Sequence, residues 1–323
     1  MDRFQNILLV LESPDIKGPA VERAVSLART NNAKLTIANI LNIPYALNHR
    51  SGLPQAREIR DALIREREGA METLLSEFPS ELDVSTMVFV GKPFLEIIKG
   101  VLRYDFDLVI KPPDTRKSLT TSIFGSTDLH LLRKCPCPVW LVKPDQASNI
   151  RQILAAVDLE SFGDDEEWNA LNQQIIEMST SLAWNESSQL HIVHTWEILG
   201  QDLLDLPWHK YLDDDVQEWM ALQKNELLAR KEKFSIMFQK MLQAKKMETL
   251  DYRIHMVEGE TEDVVLRIAQ ENKVDLILMG TVSRTDLAGF FIGSTAETIL
   301  GQVNRSVLAL KPAGFVSPVT LED

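Results

Sequence analysis

One pattern of residues occurs twice in this chain at a fixed offset, and no other feature limits the available folds as tightly. Asp107-Leu-Val-Ile110 matches Asp275-Leu-Ile-Leu278, Ile123-Phe-Gly-Ser-Thr127 matches Phe291-Ile-Gly-Ser-Thr295, and Lys143-Pro144 matches Lys311-Pro312. Each pair lies 168 positions apart (275 − 107), with no gap between them. Upstream the offset shrinks: Ile7-Leu8 matches Ile153-Leu154 at 146, and Leu35 matches Leu190 at 155. The second copy therefore carries insertions of 9 (155 − 146) and 13 (168 − 155) residues. The polar stretch Asp145-Gln-Ala-Ser-Asn149 separates the copies and gives expected domains at 1–146 and 150–315.

Within each copy, short apolar runs alternate with helical periodicity. In the first copy, Asn6–Leu11, Lys34–Ile40, Val84–Val90, Asp107–Ile110 and Val139–Val142 read as strands. Between them, Gly18–Thr30, Leu53–Phe78 and Pro93–Leu102 read as helices, the second rich in Arg and Glu at pair-forming spacings. Asp275–Met279 is the matching buried strand of the second copy, and a helix is expected over Val216–Ala244. Such alternation predicts an α/β fold with open, doubly wound parallel sheets, which bind ligands at the carboxyl ends of their strands.

The end of the second copy has the composition of an anion site. Gly280 closes the strand, Ser283 follows three residues later, and Gly293-Ser294-Thr295 opens a helix in which Ser294 or Thr295 can act as cap, with Glu297 three residues after Ser294. Glycine admits a close phosphate or a positive φ, and a helix N-terminus presents unpaired N–H donors. The spacing G-x-x-S-x9-G-S resembles the G-x-x-G-x9-G-(S/T) nucleotide motif of the universal stress protein family, except that Ser283 stands where the second glycine would be. With the duplication and the terminal strands ending in Lys143-Pro144 and Lys311-Pro312, the whole chain is similar to tandem members of that family.

The resemblance implies two Rossmann-like (adenine nucleotide alpha hydrolase-like) domains in tandem, their two final strands meeting in an intramolecular pseudo-dimer. It implies ATP, AMP or ADP as ligand, with or without Mg. Asp158, at the end of the first strand of the second copy, would then receive the adenine amino group or a ribose hydroxyl. Ala156, Val157, Thr195 and Met279 would line the base, and Gly280, Ser283, Gly293, Ser294 and Thr295 would hold ribose and phosphates. In the first copy Gly280 and Ser283 become Pro112 and Thr115, and Asp158 becomes Glu12. Proline has no N–H and a locked φ, so the first site is expected to be degenerate and the second to be the working one.

Composition narrows the function classes. The chain of 323 residues has a formal charge of −13, which disfavours nonspecific binding to nucleic acid or to an anionic membrane. The apolar run Ile7–Leu11 is too short for a signal sequence or a membrane span, and two cysteines imply no disulfide framework, so a cytoplasmic protein is expected. Cys135-Pro-Cys137 and His130 lack an evident fourth ligand for a metal, and packing is the simpler reading. His191 and His194, three apart on a strand, face opposite sides, while His209 and His255 have no partner at ligand spacing. The acidic runs Gly163–Glu167 and Asp213–Asp215 read as solvated helix starts, and the aromatic insertion 198–211 as packing. No catalytic triad or base is assignable, so activity beyond slow ATP hydrolysis is not expected. The other function class is a non-nucleotide interaction scaffold or small-ligand binder that works through the pseudo-dimer surface and the 198–244 insertion. A nucleotidyl transferase would need a phosphate-adjacent His or Lys motif that is not found, and a homodimer beyond the internal pairing stays open.

Overall fold

The computed structural model describes residues 4–12, 17–43, 54–114, 124–147, 149–159, 170–196, 214–281 and 293–322. The described chain forms two compact units, one of residues 1–149 with 281–323, the other of residues 150–280.

In the first unit, β1 (Asn6–Leu11), β2 (Lys34–Leu41), β3 (Val84–Val90) and β4 (Leu108–Lys111) run parallel in the order β3-β2-β1-β4. β5 (Val139–Leu141) joins parallel to β4, and the last strand, β10 (Ser306–Leu310), pairs antiparallel with β5, Trp140 opposite Leu308. The two final strands therefore meet, as the resemblance implied. Helices α1 (Pro19–Asn31), α2 (Pro54–Leu75), α3 (Pro93–Tyr104) and α4 (Ser126–Lys134) make the crossovers. Apart from Asn6 at the start of β1 and Lys111 at the end of β4, both strands are apolar because both their faces are covered.

The second unit repeats this plan with β6 (Gln152–Ala156), β7 (Gln189–Trp196), β8 (Tyr252–Glu258) and β9 (Leu276–Gly280), parallel in the order β9-β6-β7-β8. Its helices are α5 (Ala170–Glu186), α6 (Asp214–Ala244) and α7 (Thr261–Glu271), while α8 (Ser294–Gln302) belongs to the first unit. The run Gly163–Glu167, Asp213 and the 198–211 segment lie outside the described residues, while Asp214 and Asp215 open α6 at the expected helix start.

Two repeated residues explain part of the sequence match. Asp107 Oδ2 accepts from the Gln5 and Asn6 N–H groups at 2.6 and 3.1 Å, and Asp275 Oδ2 accepts from Arg151 and Gln152 at 2.7 and 3.0 Å. In both copies one carboxylate thus ties the entry of the first strand to the fourth. Gly91 and Gly259, also 168 apart (259 − 91), take φ of +151° and +130° at the turns into α3 and α7, a region closed to most side chains.

The sheet of the second unit also carries a buried polar chain. His191 on β7 lies 2.9 Å from His255 on β8 (Nδ1 to Nε2) and 2.8 Å from Gln152 Oε1 on β6. Parallel pairing sets Val193 opposite His255, so His191 reaches its partner on the diagonal. His255 therefore has a partner after all, one that linear spacing does not show. Burial, then the charges of His255 and Arg253, lower the His191 pKa to about 4 from the ordinary 6.5, with Asp251 opposing. Since the folded value is depressed, the contribution of His191 to stability is complete above pH 6.5 and is lost as the pH falls toward 4. The urea midpoint of the wild-type chain is expected to drop across that window, and His191→Gln/His255→Gln to flatten the drop. Equal slopes for the two proteins would refute this account.

Candidate functional site

At the switch point of a doubly wound sheet, neighbouring strands send their following helices to opposite faces, which leaves a crevice at their carboxyl ends. In the first unit that point lies between β1 and β4. A cavity of about 460 Å³ opens there, lined among others by Leu11, Glu12, Ile40, Asn42, Lys111 and Asp114, with Phe94 and Thr127 farther along the wall. Pro112 and Pro113, which sequence reasoning held responsible for closing this site, line a smaller cavity of about 270 Å³ that also touches Glu12.

A different group fills the phosphate end of the larger cavity. Lys111, at the end of β4, is 2 % exposed, and its Nζ donates to Asp114 Oδ1 at 2.7 Å and to Asp128 Oδ1 at 2.5 Å. Asp128, 0 % exposed in the first turn of α4, accepts the Gly125 and Asp114 N–H groups on its Oδ2, both at 2.8 Å. Burial works to lower the Lys111 pKa, but the charges of Asp128 and Asp114 outweigh it and hold the ammonium above its ordinary value. Burial raises both carboxyls. For Asp114, Lys111 reverses the effect and the pKa falls, whereas Asp128, wholly enclosed and beside a second carboxylate, stays raised. A Cβ added at Gly125 would lie 2.5 Å from Asp114 Cβ, so Asp114 sits directly over the start of α4. Sequence reasoning missed these three residues, although the 168 offset carries the signal: Lys111, Asp114 and Asp128 align with Met279, Val282 and Ala296.

In the second unit, adjacent parallel strands bring part of the expected site together. Ala156 ends β6 with Val157 and Asp158 just after it, Thr195 lies near the end of β7, and Met279 and Gly280 end β9. Val157 and Met279 are buried. The Asp158 backbone is held on both sides by Asn172 of α5: its N–H donates to Asn172 Oδ1 at 3.1 Å, and its carbonyl accepts from Asn172 Nδ2. Thr195 Oγ1 is 2.5 Å from Thr261 Oγ1 at the start of α7. Gly280 is not among the described glycines with positive φ. Its lack of a side chain makes room for Leu171, whose Cδ2 would lie 2.7 Å from an added Cβ.

Gly293, Ser294 and Thr295 belong to the other unit, and Ser283 lies outside the described residues. The expected cap is corrected. Gly293 is the N-cap of α8, with no side-chain cap bond, and Ser294 is already the first helical residue. Glu297 extends outward to Arg133 Nη2 at 2.9 Å instead of closing a capping box.

The remaining candidates are structural. His130 stacks on Phe94 with centroids 4.1 Å apart, and Cys135 and Cys137 are buried thiols with sulfurs 3.6 Å apart. His194 Nδ1 accepts the Leu159 N–H at 3.2 Å. Among the described residues no group of three or more His, Cys, Asp or Glu side chains is placed to hold a metal, and no helix is long and apolar enough to cross a membrane.

The ion cluster makes a stability prediction. Lys111→Met alone strands two carboxylates and is expected to cost about 3–5 kcal/mol. The swap Lys111→Met/Asp114→Val/Asp128→Ala, which removes all three charges, should recover most of that loss in urea denaturation. A neutral single substitution would contradict the cluster's role.

The Universal stress protein family model matches residues 3–143 and again 149–311. Universal stress protein E of Salmonella typhi is 30% identical over 335 residues, covering 100% of this chain and 99% of the relative. Its counterpart in Escherichia coli K12 is 29% identical over 334 residues, with the same coverage. Among solved structures, a Pseudomonas aeruginosa PAO1 protein of unknown function superposes with a TM-score of 0.65 at 24% identity, over 96% of this chain and 94% of its own. A universal stress protein from Archaeoglobus fulgidus superposes at 0.57 with 14% identity, over 95% and 98%. With both copies matched and relatives aligned from end to end, this chain belongs to the universal stress protein family, as a tandem member.

Proposed function

We propose that this protein is a cytoplasmic stress-response protein that binds ATP, AMP or ADP through its second copy, residues 150–315, while the first copy, 1–146, binds no nucleotide phosphate. The observation that carries this reading is the grouping of Asp158, Thr195, Met279 and Gly280 at the carboxyl edge of three adjacent parallel strands. Ala156 and Val157 complete that edge for the base, and Asp158 accepts from the adenine amino group or a ribose hydroxyl. Gly280, Ser283, Gly293, Ser294 and Thr295 make up the phosphate-holding part of the sequence motif, with or without Mg. Since α8 starts without a side-chain cap, its first N–H groups suit an anion. The reading is of a binder, with ATP hydrolysis slow at most, because phosphoryl transfer needs a positioned base or a metal-holding acid and neither is assigned.

Calorimetric titration tests this. One equivalent of ATP is expected to bind saturably, and Asp158→Ala or Gly293→Val to weaken binding at least about tenfold. The substitutions are compatible with the local backbone: Asn172 holds the Asp158 main chain on both sides, and Gly293 has φ −59° and ψ 143°, which valine adopts readily. No binding at millimolar ATP would defeat the proposal in favour of an interaction scaffold.

A further inference from the structure

The first-copy cleft keeps its volume although the position suited to a phosphate is filled. Its walls are apolar at Leu11, Ile40, Phe94 and Ile97, Asn42 adds an exposed amide, and Glu12 and Thr127 also line it, both hydrogen-bonded to Asp114. We propose that this cleft is a second binding site, for an uncharged ligand of nucleoside size, and that Asp114 is its specificity-determining residue, a built-in carboxylate that keeps phosphate out.

Three observations carry this. Donors at this end of the cleft are already engaged: the Gly125 and Asp114 N–H groups by Asp128, and the Lys111 ammonium by both carboxylates. Asp114 also occupies the space over the helix start, against Gly125. A phosphate would have to evict it and leave a carboxylate near other buried charge without its cation. Finally, the charges of Lys111, Asp114 and Asp128 sum to −1, and the Glu12 side chain is already bonded to Asp114. Lys92, the other cation on the cavity wall, has its Nζ 4.8 Å from the centre of the Phe94 ring.

What remains is a volume within the range of small-molecule pockets, apolar on its walls, with the exposed Asn42 amide able to pair with a ligand's hydroxyl or amino group. The second copy carries Met279, Val282 and Ala296 in place of the three charged residues, so exclusion is specific to the first. The choice of adenosine as probe rests on the proposed nucleotide function of the second copy.

The test uses the full chain carrying Asp158→Ala and Gly293→Val, with adenosine and ATP titrated separately. Adenosine is expected to bind with one equivalent, and ATP at least about tenfold more weakly. Asn42→Trp, at an exposed lining position, should abolish adenosine binding and leave ATP binding by the otherwise wild-type chain intact. Lys111→Met/Asp114→Val/Asp128→Ala should bring ATP to parity with adenosine or better. If that variant fails to fold, Asp114→Asn, which keeps shape and removes charge, should narrow the ratio by a factor of at least three. The proposal is overturned if ATP binds the two-site variant as tightly as adenosine, if adenosine does not bind, or if Asn42→Trp leaves adenosine binding unchanged. It is equally overturned if the charge variants leave the ratio unmoved. Should the wild-type chain bind no ATP while the two-site variant binds adenosine, the second-copy reading falls and this one stands.

Discussion

A parallel strand covered on both faces has no place for a charge except at its ends, and that constraint governs both copies. β1, β4, β6 and β9 are closed to water along their length, so the polar chemistry of the chain is pushed to their termini. At the entry, Asp107 and Asp275 each turn a carboxylate onto two main-chain N–H groups of the neighbouring strand. At the exit stand the groups that distinguish one copy from the other. Binding chemistry can vary there without disturbing the buried runs that hold the sheet together.

The two exits have diverged as sets. In the first copy a lysine at the last position of β4 is tolerable only because two carboxylates reach it, and one of them, Asp128, also satisfies the Gly125 and Asp114 N–H groups beside the start of α4. Removing one member leaves a buried charge, whereas removing all three does not, which accounts for their joint absence from the second copy. There, the corresponding strand ends in Met279 and Gly280, and the glycine makes room for Leu171. The same strand ends thus carry an enclosed ion cluster in one copy and uncharged residues in the other.

Much of the fold was legible because buried strands and amphipathic helices leave periodic traces, and because duplication wrote those traces twice. Strand Val84–Val90 and helices beginning at Pro93 and near Gly18 are found where the pattern puts them. The antiparallel meeting of β5 and β10 followed from family resemblance, since nothing local to either strand specifies it. The candidate sites were less legible. Pro112 drew attention as a poor phosphate residue, but it lines the smaller cavity, while Lys111 and Asp128, 17 residues apart, bond to each other directly beside Asp114. Ser294 resembled a cap and proved to be the first helical residue.

The amino-acid order by itself determined the duplication, the class of each copy and the family, because these depend on hydrophobic period and spacing, which are linear properties. The tertiary structure alone decided which charges meet. Lys111 finds Asp128, and His191 finds His255, through the return of a crossover and the register of neighbouring strands. Contacts of that kind rest on distances in space between residues far apart along the chain, and a hydrogen bond forms only where folding brings its two ends within about 3 Å.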